Sequence, residues 1–203
     1  MKLKLAGIKT LFEAQGGCQY TGEPVTQLEH SLQTAQLAEQ AQAGAALITA
    51  ALLHDLGHMA NDMGEMPTLR GIDDKHQYHG VSALRGVFPA AVLDPIRLHV
   101  DAKRYLCAID ASYRDRLSSS AKLSLELQGG PFSAAEVLTF LQQPFARQAV
   151  AVRRGDDQAS EPSARPPAWQ HFLPVLQSIR LPAIASGTPP RAGARQYEPA
   201  RTA

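Results

Sequence analysis

The sequence predicts an all-α fold, and three observations support that prediction. Apolar residues recur at helical spacing along most of the chain, whereas alternating strand patterns are hard to find. The length of 203 residues suits one domain. No internal repeat is visible. We therefore expect a helical bundle over residues 1–180, followed by a proline-rich and disordered tail over residues 181–203.

Glycines separate the first three predicted helices. The first helix places Leu5, Ile8 and Phe12 on one side and ends before a glycine pair. The second has apolar residues about one helical turn apart, and Gly44 separates it from the third. That third helix is apolar on nearly every side, which predicts a central position in the fold. The predicted spans are residues 1–13, 26–42 and 45–58.

The later helices are bounded by turn residues and caps. Residues 59–75 contain glycines, a proline and four acids, which predicts a mobile loop. Ser133 and Glu136 have the spacing of a capping box that opens a helix. Trp169 starts a final amphipathic segment, and we expect it to pack that segment onto the body. The remaining predicted helices cover residues 76–87, 89–106, 133–141, 145–154 and 169–179.

The composition excludes several classes of protein. Twenty Lys and Arg residues balance 19 Asp and Glu residues, so the chain has no general attraction to nucleic acid or to anionic membranes. No apolar stretch approaches the roughly 18–20 residues of a membrane span. Two cysteines cannot form a disulfide framework, which indicates a cytoplasmic protein. The oligomeric state stays open.

Seven histidines give the main functional signal. His54 and Asp55 lie near the end of the most apolar predicted helix, and burial of this pair is costly unless both side chains are paired or bind a metal. On a continuous helix, His58 would share a face with His54. A single histidine is more often a surface or hydrogen-bonded core residue, and we interpret His76 and His171 in that way.

Other histidines and an aspartate extend this pair into a predicted metal site. They fall on neighbouring predicted helices and near the end of the folded part. Asp55 could bridge two metals because a carboxylate has two oxygens, and metals that share ligands in this way lie about 3.5–4 Å apart. Imidazole with carboxylate suits iron, zinc or manganese. The first predicted ligand set is His30, His54, Asp55 and Asp156, and the second is Asp55, His79 and His99.

The order His, His-Asp, Asp resembles the signature of the HD-domain superfamily. A closer resemblance is to the mixed-valent di-iron HD oxygenases that break down organophosphonates. It covers roughly residues 15–158 and is carried by several motifs in one order. These motifs are Tyr-Thr-Gly-Glu at 20–23, His-Asp-Leu-Gly-His at 54–58 and His-Val-Asp-Ala-Lys-Arg-Tyr-Leu at 99–106.

The resemblance implies a reaction and assigns roles to side chains. Two iron ions in the Fe(II)/Fe(III) state would occupy the ligand sets, with dioxygen as co-substrate. The reaction would cleave the carbon–phosphorus bond of a 1-hydroxyphosphonate, such as 2-amino-1-hydroxyethylphosphonate, to glycine and phosphate. Tyr20 would occupy the second iron until substrate displaces it, while Glu23 would pair with the substrate ammonium. The other substrate contacts would be His58, Lys103, Ser124 and Arg153.

Other functions stay open at this point. An HD phosphohydrolase, which attacks a phosphate ester with a metal-bound hydroxide, needs the metal ligands but has no clear use for Tyr20 or Glu23. A non-catalytic, metal-binding HD module needs the ligands alone. Cleavage of a carbon–carbon bond, as in inositol oxygenases, is also chemically possible, although Lys103 with His58 favours a phosphonate.

Overall fold

Helices make up the regular structure of the described residues, which are 3–20, 22–61, 63–64 and 67–182 of a computed structural model. Within these ranges the only β pairings are two isolated bridges, so the all-α prediction is confirmed. No described helix is both long and apolar enough to cross a membrane. Most of the predicted tail, residues 183–203, lies outside the described residues.

Eleven α-helices and one short 3-10 helix are described. They are α1 Leu5–Gln15, α2 Gln27–Gln40, α3 Ala45–Leu53, α4 Leu56–Ala60, the 3-10 helix Pro67–Arg70, α5 His76–Leu84, α6 Ala90–Ile109, α7 Ala111–Arg116, α8 Ser119–Leu127, α9 Ala134–Leu141, α10 Ala146–Asp156 and α11 Trp169–Ile179.

Helix α3 lies at the centre, as its sequence predicts. Every residue from Ile48 to Leu53 is buried, because α2, α6, α10 and α11 surround the helix. Helix α6 crosses the same core and also contacts α5 and α10. Trp169 packs α11 onto the body, with its ring centroid 4.9 Å from that of Phe12. The helices that carry the predicted ligands therefore meet around one buried region.

The prediction of one continuous helix over residues 45–58 is wrong. Helix α3 ends at Leu53 and α4 begins at Leu56, because Asp55 adopts φ −101° and ψ 8°, outside the helical region. His54 and His58 therefore do not share the face of one helix. The predicted loop over residues 59–75 also contains regular structure, namely the end of α4 and the 3-10 helix Pro67–Arg70.

Side-chain caps begin four of the described helices, α2, α7, α8 and α9. The capping box of Ser133 and Glu136 is present, as predicted. The sequence does not predict α7 and α8, although each has a capping signal. Asp110 accepts a hydrogen bond from the backbone N–H of Tyr113, and Ser118 accepts one from that of Ala121. These short helices form one wall of the cavity described below.

Candidate metal centre

Five predicted ligand residues converge from four parts of the fold, and all five are buried. The turn between α3 and α4 places two of them next to each other. Helices α2 and α6 each supply a histidine, and the last residue of α10 supplies a carboxylate. The exposed fraction is 4% or less for His30, His54, Asp55, His99 and Asp156.

The first ligand set is assembled as the sequence predicts. The Nε2 atom of His30 lies 3.3 Å from Nε2 of His54 and 3.3 Å from Oδ1 of Asp156. Oδ2 of Asp55 lies 3.4 Å from Nε2 of His54. Ligands bonded to one ion at 2.0–2.2 Å are separated from their neighbours by roughly 3.0–3.5 Å. These four side chains thus have the spacing of one metal site.

The second set uses the other oxygen of Asp55. Oδ1 lies 3.4 Å from Nε2 of His99 and 3.4 Å from Nε2 of His76, and these two nitrogens are 3.0 Å apart. Asp55 can therefore offer one oxygen to each set, which is the predicted bridging arrangement. The set consists of two imidazoles and one carboxylate.

The prediction that His79 belongs to this set is wrong, since the structure places His76 there instead. Helix α5 begins at His76, and its buried face continues through Gln77, Gly80, Ala83 and Leu84. His79 lies at the flank of that face and is only half-buried. The sequence does not decide between the two histidines, because Gly80 and Leu84 follow His76 by one and two turns while Ala83 follows His79 by one turn.

Hydrogen bonds at Nδ1 orient the four histidines of the two ligand sets. Because a carbonyl or carboxylate oxygen only accepts, each ring carries a proton on Nδ1 and directs Nε2 inward, where it can bind a metal. The acceptors are Ala159 O for His30 at 3.1 Å, Ala51 O for His54 at 2.9 Å, Ile96 O for His99 at 2.7 Å and Asp74 Oδ1 for His76 at 2.9 Å.

Two observations show that these ligands fit metal ions. Nε2 of His30 and Nε2 of His54 lie 3.3 Å apart while both Nδ1 atoms are bound to backbone carbonyls, so the contact is favourable only with a proton or a metal cation between the two nitrogens. In addition, both oxygens of Asp55 are buried without a hydrogen-bond partner among the described residues. A buried polar atom without a partner is costly, and coordination of a metal removes that cost.

The electrostatics of the site also favour cations. Burial acts to raise the pKa of Asp55, but the charges of His54 and His58 outweigh it and hold that pKa well below its usual range. Burial acts to lower the pKa of His54, yet the charges of Asp55 and Asp156 raise it to about 10. The two carboxylates therefore stay ionised and draw positive charge into the cluster.

A cavity of about 500 Å³ opens beside the ligand sets. Asp55, His76, His99 and Asp156 contribute to its wall, so a molecule in the cavity can reach both sets. Its lining also brings together all six residues predicted to occupy the second iron or to contact substrate. These are Tyr20, Glu23, His58, Lys103, Ser124 and Arg153.

Lys103 is a buried cation in this cavity. It lies one turn after His99 on α6, is 3% exposed and donates a hydrogen bond to Oγ of Ser124 at 2.7 Å. Burial, together with the nearby charge of Arg153, lowers the pKa of Lys103 to about 7. Its charge is thus sensitive to any anion that enters the cavity.

Arg153 makes its hydrogen bonds with protein groups. It donates to Oδ2 of Asp156 at 2.7 Å, to the hydroxyl of Tyr113 at 3.2 Å and to the carboxylate of Asp157. Tyr113 in turn donates to Asp157 at 2.6 Å. This network fixes Asp156 in the first ligand set, while a contact between Arg153 and substrate stays a prediction.

Tyr20 and Glu23 also line the cavity. The ring of Tyr20 stacks on that of His30, with centroids 4.0 Å apart and planes at 12°. Burial raises the pKa of Tyr20, and the charges of Asp55 and Asp156 raise it further. Glu23 accepts a hydrogen bond from Ser120 at 3.0 Å. The phenol is therefore kept protonated beside the ligand sets.

Asp74 is a site residue that the sequence does not predict, because it falls within the expected loop. Its Oδ2 lies 2.6 Å from Nδ1 of His58, and its Oδ1 accepts from His76. The His58 and His76 rings stack, with centroids 4.0 Å apart. No motif in the sequence identifies this carboxylate.

Comparison with known proteins adds independent findings. The family model described as the HD domain matches residues 28–124. The chain is 41% identical over 169 residues to a [1-hydroxy-2-(trimethylamino)ethyl]phosphonate dioxygenase (glycine-betaine-forming) from Leisingera caerulea, covering 83% of this chain and 86% of that protein. It is also 41% identical over 174 residues to a hydroxymethylphosphonate dioxygenase from Gimesia maris, covering 84% and 87%.

Proposed function

This chain belongs to the HD-domain family of phosphonate dioxygenases, and from that premise we propose that its substrate is 2-amino-1-hydroxyethylphosphonate. Dioxygen is the oxidant, and the carbon–phosphorus bond breaks. One oxygen atom enters the new carboxylate of glycine and the other enters phosphate, so that the atoms and the four electrons balance.

The second ligand set carries the proposal. Asp55, His76 and His99 supply one carboxylate and two imidazoles beside an open cavity, the donor set typical of non-haem Fe(II) oxygenases. His30, His54 and Asp156 would hold a second iron with Asp55 as the bridge. When bound, the irons would pass electrons from the substrate to dioxygen, and the substrate would chelate one of them through its hydroxyl and a phosphonate oxygen.

The charges that line the cavity support a substrate with opposite charges at its two ends. Lys103 and His58 can bind the phosphonate, since both are partly or fully buried and line the cavity near the second ligand set. Glu23 can accept hydrogen bonds from a primary ammonium. Ser120 orients the Glu23 carboxylate from the side of α8.

The lining also supports a primary ammonium rather than a trimethylated one. Quaternary ammonium groups are usually held by several aromatic faces. In the described part of the lining, apart from histidines, the aromatic side chains are Tyr20 and Tyr113. Tyr20 already has one face stacked on His30, and the hydroxyl of Tyr113 is bound to Asp157. Substrates without an amine would leave Glu23 unused.

Phosphorus NMR of aerobic incubations with iron tests this function. The panel contains 2-amino-1-hydroxyethylphosphonate, its trimethylated analogue and hydroxymethylphosphonate. We expect phosphate release with the highest kcat/KM from 2-amino-1-hydroxyethylphosphonate, the primary amine of the panel. If either of the other compounds has a higher kcat/KM than the primary amine, the proposed substrate is wrong.

A matched variant separates amine recognition from catalysis. Glu23→Gln keeps the shape of the side chain but removes its charge. A hydrogen bond to a charged group contributes roughly 1.5–3 kcal/mol, so kcat/KM for the amino substrate should fall about tenfold to a hundredfold. The kcat/KM for hydroxymethylphosphonate should stay the same.

An anaerobic assay tests the alternative function, since hydrolysis of phosphate esters without dioxygen would indicate a phosphohydrolase.

A further inference from the structure

Asp74 is a buried carboxylate that contacts two imidazoles, one with each oxygen. Oδ1 lies 2.9 Å from Nδ1 of His76, and Oδ2 lies 2.6 Å from Nδ1 of His58. The carboxylate is 3% exposed. One of these rings belongs to the second ligand set, and the other lines the cavity. The same side chain therefore touches both the candidate metal centre and the substrate side.

We propose that Asp74 is a positioning residue that holds His76 and His58 in the same tautomer and orientation; this inference rests on the proposed metal centre. An ionised carboxylate only accepts hydrogen bonds, so both rings must carry a proton on Nδ1. Nε2 of His76 is thereby directed to within 3.4 Å of Oδ1 of Asp55, and Nε2 of His58 to within 3.8 Å of its Oδ2.

The distances identify hydrogen bonds rather than a third metal site. Separations of 2.6 and 2.9 Å are usual for charge-assisted hydrogen bonds. Two ligands of one ion at 2.0–2.2 Å are separated by roughly 3.0–3.5 Å. Asp74 also accepts from the backbone N–H of His76 at 3.3 Å, which ties its carboxylate to the first turn of α5.

Asp74→Asn tests this role because an amide cannot accept from both rings. Its single oxygen can accept from one imidazole, while its NH₂ group faces the other and forces a change of tautomer or orientation there. The shorter of the two bonds, 2.6 Å to His58, should keep the single oxygen, so His76 is the ring affected and the lone pair of its Nε2 is lost to the metal. We expect the second metal to bind about 10–100-fold more weakly, the usual effect of losing such a partner, and the first metal to bind as before.

Zinc binding to the full-length chain measures this effect without any turnover. Affinities are read by competition with a chelator, and nitrogen-15 NMR of the histidine rings reports their tautomers in the zinc-loaded protein. The matched control is Asp73→Asn, which removes the same charge one residue earlier. Asp73 accepts from the backbone N–H of Lys75 at 3.2 Å, so this variant should bind two zinc ions with wild-type affinity.

A second variant separates positioning from a general effect on structure. His58→Phe keeps a ring that can stack on His76 but removes one of the two Nδ1–H groups that donate to Asp74. In that background the amide oxygen introduced by Asp74→Asn can accept from His76 alone. The loss of zinc affinity caused by Asp74→Asn should then shrink to less than about threefold, a coupling between neighbours that a double-mutant cycle detects.

The outcomes distinguish this inference from the function on which it rests. Equal losses of affinity in the two backgrounds, or an unchanged affinity in Asp74→Asn alone, would overturn the role of Asp74 and leave the metal centre intact. A wild-type chain that binds fewer than two zinc ions would overturn the metal centre and this inference together.

Discussion

Gly57 lies where the backbone of α4 contacts the start of α5, and Gly57→Ala is the sharpest test of the ligand geometry. A methyl group at this position would lie 1.8 Å from the carbonyl oxygen of His76, 2.6 Å from its carbonyl carbon and 2.8 Å from the backbone nitrogen of Gly80. All three are backbone atoms, so no side-chain rotation relieves the overlap. The start of α5 would have to retreat by roughly 1.5 Å to restore van der Waals contact.

That displacement is large compared with the tolerance of a metal site. Bond lengths to a metal vary by only about 0.2 Å in a well-formed site. Nε2 of His76, now 3.4 Å from Oδ1 of Asp55, would leave the second set, whereas the first set does not include any residue of α5. We expect the variant to retain one metal ion of two. Overpacking should also destabilise the fold by about 1–3 kcal/mol.

Iron content and thermal unfolding measure both effects. For a domain of this size each kcal/mol lowers Tm by roughly 2–4 °C. Gly44→Ala is the matched control, because Gly44 has φ −71° and ψ 162° and a methyl group there would meet no atom within 4 Å. Its stability should stay within about 0.5 kcal/mol of wild type. A Gly57→Ala protein with two irons and an unchanged Tm would refute the close approach of the two helices and the geometry derived from it.

Three further predictions concern the cavity. Because the pKa of Lys103 is lowered to about 7, Lys103 loses its charge as the pH rises above that value, and KM for the phosphonate should rise with it. In a KM profile from pH 6 to 9, Lys103→Arg should flatten this rise, since arginine stays charged. Parallel profiles of the two proteins would contradict the prediction. Asp157→Asn should lower the free energy of unfolding in urea by about 1.5–3 kcal/mol, since Asp157 accepts from Tyr113 and Arg153, whereas Tyr113→Phe should cost less. Tyr20→Phe should keep both metals and the stack on His30 but consume dioxygen without substrate, as measured with an oxygen electrode; no such consumption would argue against a protective hydroxyl.

The helical fold could be predicted because its signals are local. Periodic apolar residues, glycine breaks and the capping box at Ser133 each act within a few residues. The first ligand set could be predicted because its order along the chain, His30, His54-Asp55 and Asp156, resembles the HD-domain signature. The His54-Asp55 pair is costly in an apolar helix, and His30 lies on the adjacent helix.

The second set could not be predicted fully because it depends on long-range packing. The choice between His76 and His79 is decided by the side of α5 that faces the core, and that side is set by contacts with α4 and α6. Asp74 could not be identified either, since its role exists only once α5 brings His76 next to His58. In both cases the missing information lies in how two helices meet, which no single segment contains.

The break between α3 and α4 is what allows one carboxylate to serve both ligand sets. In a continuous helix Asp55 would project about 100° away from His54, and His58 would follow His54 on the same face. The turn instead brings Oδ2 of Asp55 within 3.4 Å of His54 and leaves Oδ1 facing the second set. It also moves His58 into α4, where its Nε2 is 3.8 Å from the same carboxylate and its ring lines the cavity. An interruption of the most apolar helix is thus the structural feature that joins the two candidate metal sites to the substrate cavity.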